Sequence, residues 1–357
     1  MKVKIQKQII ESILIHLQAF LEKKDASQIT SHILFQTNQN QNQCIIKATD
    51  LEIGLQIVTS NIAIHEEGSF TAHGKKLLDI IRILKDDEIT LETIGDMLII
   101  KQKHSKFKLP TFDASMYPSF PSIEDKPKIS LNSLSLIQNL KKISPAIDNN
   151  NPKFELNGAL INIKENSTDL VGTDTRRLAI STLSEKNEKE LSLILPKKAI
   201  LEIQKLFLDE IDIHFDETNL IISNQNYFFF TRLINGKFPD YSRIIPSQVK
   251  HQVKLPKKEM LEAIKMITTI SPEIKMAFSS DKIEFNSLSS DNVEAKTQIA
   301  INTNLTENFE LSFHSKYMLD FISQTNQHEF MIEFNESSLP FVLRDNNFIT
   351  IIMPIIA

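Results

Sequence analysis

The chain repeats itself three times, and that repetition limits what it can become. Three stretches pair a short strand with an amphipathic helix: VKIQKQIIESILIHL from Val3, ISLNSLSLIQNLKKI from Ile129 and VKLPKKEMLEAIKMI from Val253, at offsets of 126 and 124 residues. A second helix recurs downstream in each, as FTAHGKKLLDIIRIL from Phe70, LILPKKAILEIQKLF from Leu193 and LSFHSKYMLDFISQT from Leu311, at offsets of 123 and 118. Apolar residues fall at helical spacing, Ile200, Ile203, Leu206 and Phe207 in one helix and Leu261, Ile264 and Ile267 in another. Between helices the period drops to two and Asn, Ser and Asp mark turns, which predicts antiparallel strand meanders. Pro-containing extended segments at 116–122 and 237–247 join the copies. Each copy therefore reads as strand–helix–strands, twice over, in an α+β arrangement of roughly 120 residues.

Charge is segregated on this frame. The six helix-bearing windows hold 19 of the 40 basic residues but only 9 of the 45 acidic ones, so basic helices sit in a chain whose net charge is −5. Helices sharing one side would make that side electropositive; the plainer reading is that lysine is common on exposed helix faces. Lysine pairs at helix starts, Lys75-Lys76, Lys197-Lys198 and Lys257-Lys258, favour the first reading. The helix dipole disfavours cations there, so their recurrence suggests an outside anion such as a phosphate backbone. With only six arginines, the implied binding is sequence-neutral. Cys44 is the sole cysteine and the nine histidines form no H-x-x-x-H pair, so no disulfide, metal or cofactor is expected. No apolar run reaches about 18 residues. The amphipathic N-terminus is broken by Glu11, Ser12, His16 and Gln18. A cytoplasmic chain is the expectation.

The stretch LVGTDTRRLAI, residues 170–180, places an acid and two arginines in a strand-like run, although charge is costly to bury. ATD at 48–50 and GTD at 172–174 lie 124 residues apart. The Thr-Asp pair is thus read as frame, a turn whose Asp bonds backbone amides. The second copy adds Arg176-Arg177-Leu178 where the first has Glu52-Ile53-Gly54.

Four stretches resemble one family, the bacterial DNA polymerase III beta subunits or sliding clamps. GTDTRRLAI resembles its A-T-D-G-H-R-L-A, and GKFPDYSRIIP (236–246) its G-x-F-P-D-Y-x-R-(V/I)-(L/I)-P. LNG (156–158) and IIMPI (351–355) resemble its middle-domain strand and its M-P-(M/I) tail, and the threefold repeat matches along the whole chain. The resemblance implies three tandem DNA-clamp domains, 1–121, 122–248 and 249–357, with helices lining one face and antiparallel sheets the other. Two chains would close head to tail into a ring around duplex DNA. Twelve helices about 10 Å across, set side by side, leave a hole about 28 Å wide, enough to thread a duplex. As a homodimeric processivity factor in DNA replication, such a ring tethers the replicative polymerase, clamp loader and repair proteins by short Leu/Phe-containing motifs.

Carried over by motif, the partner-peptide pocket would comprise Leu156, Thr173, Thr175, Arg176, Arg177, Leu178, Pro239, Arg243, Ile244, Ile351, Met353, Pro354 and Ile355. Leucine and phenylalanine anchors want an apolar concavity, and arginine stems can pack there while their heads bind the peptide. The DNA-near positions would be Lys24, Lys75, Lys76, Lys141, Lys142, Asn150, Lys197, Lys198, Lys257 and Lys258. The subunit contact would use Phe107 and Leu109, on an edge strand, with Ile270 of the third domain. Thr175 and Arg176 stand where the family often has Gly-His; a β-branched residue there suggests altered turn geometry.

Simpler readings accompany these. Arg176 and Arg177 could be an exposed strand pair bonded to a neighbouring acid, IIMPIIA a buried edge strand, and Phe107 and Leu109 ordinary core alternation. No P-loop, G-x-S-x-G elbow or motif-placed Cys–His pair is present. The reading is a binding module without catalysis. Its alternatives are a metal-dependent phosphatase or nuclease using Asp174, Arg176, Arg177 and Asp240, or a monomeric DNA-binding scaffold.

Overall fold

A computed structural model describes every residue except 26, 130, 189, 289–292 and 357. Among the described residues there are six α-helices: α1 (Lys7–Leu17), α2 (Gly74–Ile83), α3 (Ser133–Ile143), α4 (Lys197–Leu206), α5 (Lys257–Thr268) and α6 (Ser315–Gln324). All strand pairing within the sheets is antiparallel. The alternating pattern between helices becomes the expected meanders, with tight turns through left-handed residues such as Asn42 and Asn346. The strand expected from Ile129 is reduced to one bridge, Lys128 to His214. Pro127 just before it has no N–H to extend a ladder, and residue 130 just after lies outside the described residues.

The chain divides into two compact units, one of Met1–Leu134 with Lys205–Leu233 and the other of Ser135–Gln204 with Ile234–Ala357. The division follows the sheets rather than the repeat. In the first unit, strand Ile53–Thr59 pairs with Tyr227–Arg232, so a seven-stranded sheet joins strands from two successive copies. In the second unit, Arg177–Leu183 pairs with Phe348–Ile352 in an eight-stranded sheet built the same way. A five-stranded sheet completes the first unit and a four-stranded sheet the second.

The cores are aliphatic and phenylalanine-rich. Ile200, Ile203, Leu206 and Phe207 are buried as the spacing requires. On α5 the buried stripe is Met260, Ala263, Ile264 and Ile267; Leu261 is only half-buried, a one-position rotation from the expected face.

Histidines cap two helices. Nδ1 of His73 accepts the Lys76 N–H at 3.4 Å to open α2, and Nδ1 of His314 accepts the Lys316 N–H at 3.3 Å to open α6. Each ring nitrogen must be unprotonated to accept. Next to the first cap, His32 is buried, 3.2 Å from the Thr71 hydroxyl and with its ring tilted against Phe112, centres 4.4 Å apart. Burial, then the charges of His73 and Lys76, push His32 down to about 4 from the ordinary histidine value of 6.5. The folded pKa lies below the unfolded one, so the His32 contribution is complete above about pH 6.5 and is lost as pH falls toward 4. Lowering pH from about 7 to about 4.5 should therefore cost the first unit about 2 kcal/mol through this ring alone. Denaturant melts of the protein and of His32→Gln across that range check it: the variant should show a shallower pH slope, and equal slopes would reject the assignment.

Candidate partner and nucleic-acid surfaces

The turn at 173–177 is built by its own side chains. The Thr173 hydroxyl donates to the Arg177 carbonyl at 2.6 Å and accepts the Thr175 N–H at 3.1 Å. One oxygen of Asp174 accepts the N–H groups of Arg176 and Arg177, both at 3.0 Å. The first copy repeats this bond for bond: the Thr49 hydroxyl joins the Ile53 carbonyl and Leu51 N–H, and Asp50 takes the N–H groups of Glu52 and Ile53. The Thr-Asp pair is frame, as its recurrence suggested. The expected change in geometry at Thr175 does not occur. Thr175 has φ 72° and Leu51 φ 74°. The side-chain bonds hold both turns in the left-handed region without glycine.

The two arginines part company. Arg176 is exposed, whereas the Arg177 side chain is only 4% exposed. Arg177 Nε donates to Asp174 at 3.0 Å, Nη1 to Asp320 on α6 at 2.6 Å, and Nη2 to the Pro145 carbonyl. The guanidinium lies 4.7 Å from the centre of the Tyr317 ring. All three nitrogens are engaged within the chain, so Arg177 stands at the expected pocket as a buried support of the turn, with Arg176 exposed beside it in sequence. This is not the exposed pair of the simpler reading. The two carboxylates named for a hydrolase are bonded locally, Asp174 within its own turn and Asp240 to the Ser242 N–H and, at 2.8 Å, to Arg243.

Behind the turn stands an apolar wall. Leu156, Leu178 and Ile351 are buried in one cluster with Val342, Ile349, Phe238 and Tyr241, and Ile245 packs against it half-buried. Large apolar groups close in sequence to members of this wall are exposed: Ile244 by 45% and Met353 by 42%. Pro239 and Arg243 are exposed too, Thr173 is half-buried, and Thr175 is exposed. The tail is stitched in place, the Met353 N–H to the Arg176 carbonyl at 2.9 Å and the Ile355 N–H to the Ser312 carbonyl at 2.7 Å. Pro354 and Ile355 are half-buried. Strand and surface coexist here: Phe348–Ile352 is fully buried, and exposure begins at Met353.

The lysines fall into two kinds, which corrects the inference drawn from their pairing. The first residue of α4, Lys197, donates to the Ile147 carbonyl at 2.6 Å, and the first of α5, Lys257, to the Thr325 carbonyl at 2.7 Å. Lys7, first in α1, donates to the Arg82 carbonyl at 3.1 Å. Each accepting carbonyl lies at the C-terminal end of a helical segment, where an ammonium is favourable. These lysines are internal clasps and need no outside anion. Burial, then Lys316 and Arg177, hold Lys197 below the ordinary lysine range. Lys142 is half-buried too, reaching Asn347 at 3.4 Å and the Phe348 ring at 6.0 Å. Lys24, Lys75, Lys76, Lys141, Asn150, Lys198 and Lys258 are exposed.

The second position of α2, α4 and α6 carries Lys75, Lys198 and Lys316 in turn. The offsets of 123 and 118 were visible in the sequence, but attention to lysine pairs hid the single Lys316. Strand Ser105–Pro110 ends the five-stranded sheet, pairing with Met97–Gln102 alone. Leu109 is buried within its own sheet and Phe107 half-buried, so core alternation accounts for Leu109. Ile270 is 42% exposed. The short edge strand Lys296–Ala300 of the four-stranded sheet belongs to the meander expected between α5 and α6.

Comparison with known proteins decides the family. Models of the DNA polymerase III beta subunit match in sequence order: the N-terminal domain over residues 1–121, the central domain over 130–240 and the C-terminal domain over 242–355. The chain belongs to the DNA polymerase III beta subunit family. It is 39% identical over 354 residues to the beta sliding clamp of Helicobacter pylori strain J99, covering 97% of this chain and 94% of that one. The beta sliding clamp of Staphylococcus epidermidis is 27% identical over 335 residues, covering 88% and 89% of the two chains. The crystal structure of the Helicobacter pylori beta clamp bound to DNA ligase peptide superposes with a TM-score of 0.93 at 38% identity over the whole of both chains. The three-domain clamp fold and the role of a sliding clamp in DNA replication follow from this membership. No helix among the described residues is long and apolar enough to cross a membrane.

Proposed function

We propose that two copies of this chain close end to end around duplex DNA and slide along it while partners dock by short peptides. The lysine at the second position of α2, α4 and α6 carries the DNA half of this reading. A cation recurring at one helix position in all three copies suits a sequence-neutral phosphate track. Lys24, Lys76, Lys141, Asn150 and Lys258 extend the exposed set. Lys142, Lys197 and Lys257 contribute charge from more fixed positions. Domains at 1–121, 122–248 and 249–357 are the repeating bodies. Subunit closure uses the edge strand Ser105–Pro110 with Phe107 and, on the other copy, Ile270 and the edge strand Lys296–Ala300. Unpaired edges are hazards unless covered.

The peptide half rests on exposed Ile244 and Met353 together with the buried Leu156–Leu178–Ile351 wall. An apolar shelf beside exposed Arg176 and Arg243 fits a peptide with Leu and Phe anchors and a polar backbone. A DNA ligase peptide bound to the similar Helicobacter pylori clamp supports this occupant. Replicative polymerase, clamp loader and repair proteins are the partners, the cytoplasm is the site of action, and the chain performs no catalytic step. Deleting residues 353–357 should weaken binding of a Gln-Leu-Ser-Leu-Phe peptide about a hundredfold, the loss expected for a central apolar anchor. Subunit association should be unchanged. Unaltered peptide affinity in fluorescence anisotropy would remove the pocket assignment.

A further inference from the structure

One carboxylate oxygen in the second unit serves two cations in different surroundings. Oδ2 of Asp320 accepts from Arg177 Nη1 at 2.6 Å and from Lys316 Nζ at 2.5 Å. Arg177 is buried, while the Lys316 side chain is 58% exposed. On the buried side, Arg177 fastens the 173–177 turn to α6 through Asp320 and to the segment after α3 through the Pro145 carbonyl. That turn presents Arg176, and the Arg176 carbonyl holds the Met353 N–H. On the exposed side, Lys316 occupies the recurring second helix position, with Lys197 close enough to feel its charge.

We propose that Asp320 couples the DNA track to the peptide shelf, with Arg177 as the positioning residue between them. This rests on the functional reading given above. Without DNA, Lys316 and Arg177 share the charge of one oxygen. When a phosphate draws Lys316 away, that charge acts on Arg177 alone. The Arg177–Asp320 pair, buried on the arginine side and partly shielded on the carboxylate side, tightens when its competitor is removed. The turn is then held more rigidly against α6, and the Arg176–Met353 rim is ordered before a peptide arrives. Ordering in advance lowers the cost of binding. By linkage, a bound peptide strengthens DNA binding by the same factor. In this coupling Arg177 acts by holding the turn.

The test measures anisotropy of a labelled Gln-Leu-Ser-Leu-Phe peptide on the full-length protein at fixed ionic strength, with and without a saturating short linear duplex. Duplex should tighten peptide binding about fivefold, the low end of measured couplings. Lys316→Gln should bind peptide without duplex as tightly as the unaltered protein binds it with duplex, and added duplex should change nothing further. A merely structural role for Lys316 would not produce tighter binding. Asp320→Asn should bind peptide more weakly and lose the response to duplex. A duplex effect that survives Lys316→Gln, or peptide affinity in that variant equal to the duplex-free value, overturns the coupling. Peptide and duplex both binding with no mutual effect overturns it too while leaving the functional reading intact. Failure of the unaltered protein to bind either ligand overturns both.

Discussion

Cutting a circular plasmid should release this protein from it. Loaded onto a nicked circle, the ring should stay bound through a wash at elevated salt. After one restriction cut it should slide off the ends within the time of the digest. The expectation comes from how little the protein can hold DNA by charge. Its net charge is −5. Of the lysines at helix starts, Lys197 and Lys257 spend their ammonium groups on carbonyls of their own chain, and Lys316 shares Asp320. The contacts left are lysines without the planar fork that reads bases. Affinity from a few phosphate contacts falls steeply between about 50 and 200 mM salt, so charge alone would give the same modest binding to circle and line. Only a closed path distinguishes the two. Equal retention on cut and uncut plasmid would contradict encirclement. A particle of 40.9 kDa at micromolar concentration, the mass of one chain, would remove its premise.

The frame of this protein was legible because it is local and repeated. Thr49-Asp50 and Thr173-Asp174 announce a turn from side-chain chemistry two or three residues away, and the structure builds it twice with the same bonds. The helical stripes and meanders follow from period alone. What could not be read was set by partners distant in sequence. The burial of Arg177 could not be read because Asp320, which pairs with it, lies 143 residues on. Lys197 and Lys257 looked unexplained because the carbonyls they clasp lie 50 and 68 residues away. Thr175 looked wrong for a left-handed position because the glycine rule considers strain, not the two side chains that hold the backbone there. Of the residues proposed for a peptide, Leu156, Leu178 and Ile351 lie in one buried cluster, whereas Ile244 and Met353 are exposed.

Replacing Gly54 by leucine should destabilise the first unit by about 3 kcal/mol, the upper range for overfilling a packed core. The size follows from comparing two copies of one strand pair. In the second unit Leu178 faces Ile351 across the sheet, and both enter the apolar wall. At the same place in the first unit Gly54 faces Phe230. A Cβ on Gly54 would lie 2.2 Å from the Phe230 ring. That ring is itself pinned edge-on by Phe120 at 4.9 Å, so it cannot swing clear without breaking a second contact. The first copy thus fills with one phenylalanine the room that the second divides between leucine and isoleucine. The two changes should then be strongly non-additive. Gly54→Leu with Phe230→Ile, which copies the second unit, should recover more than half of the loss, so the coupling between these touching residues should exceed about 1.5 kcal/mol by the cost of Phe230→Ile alone. Urea denaturation of the single and double variants measures it. Additive effects would mean that the ring yields to the new side chain, and that the glycine answers to something other than Phe230.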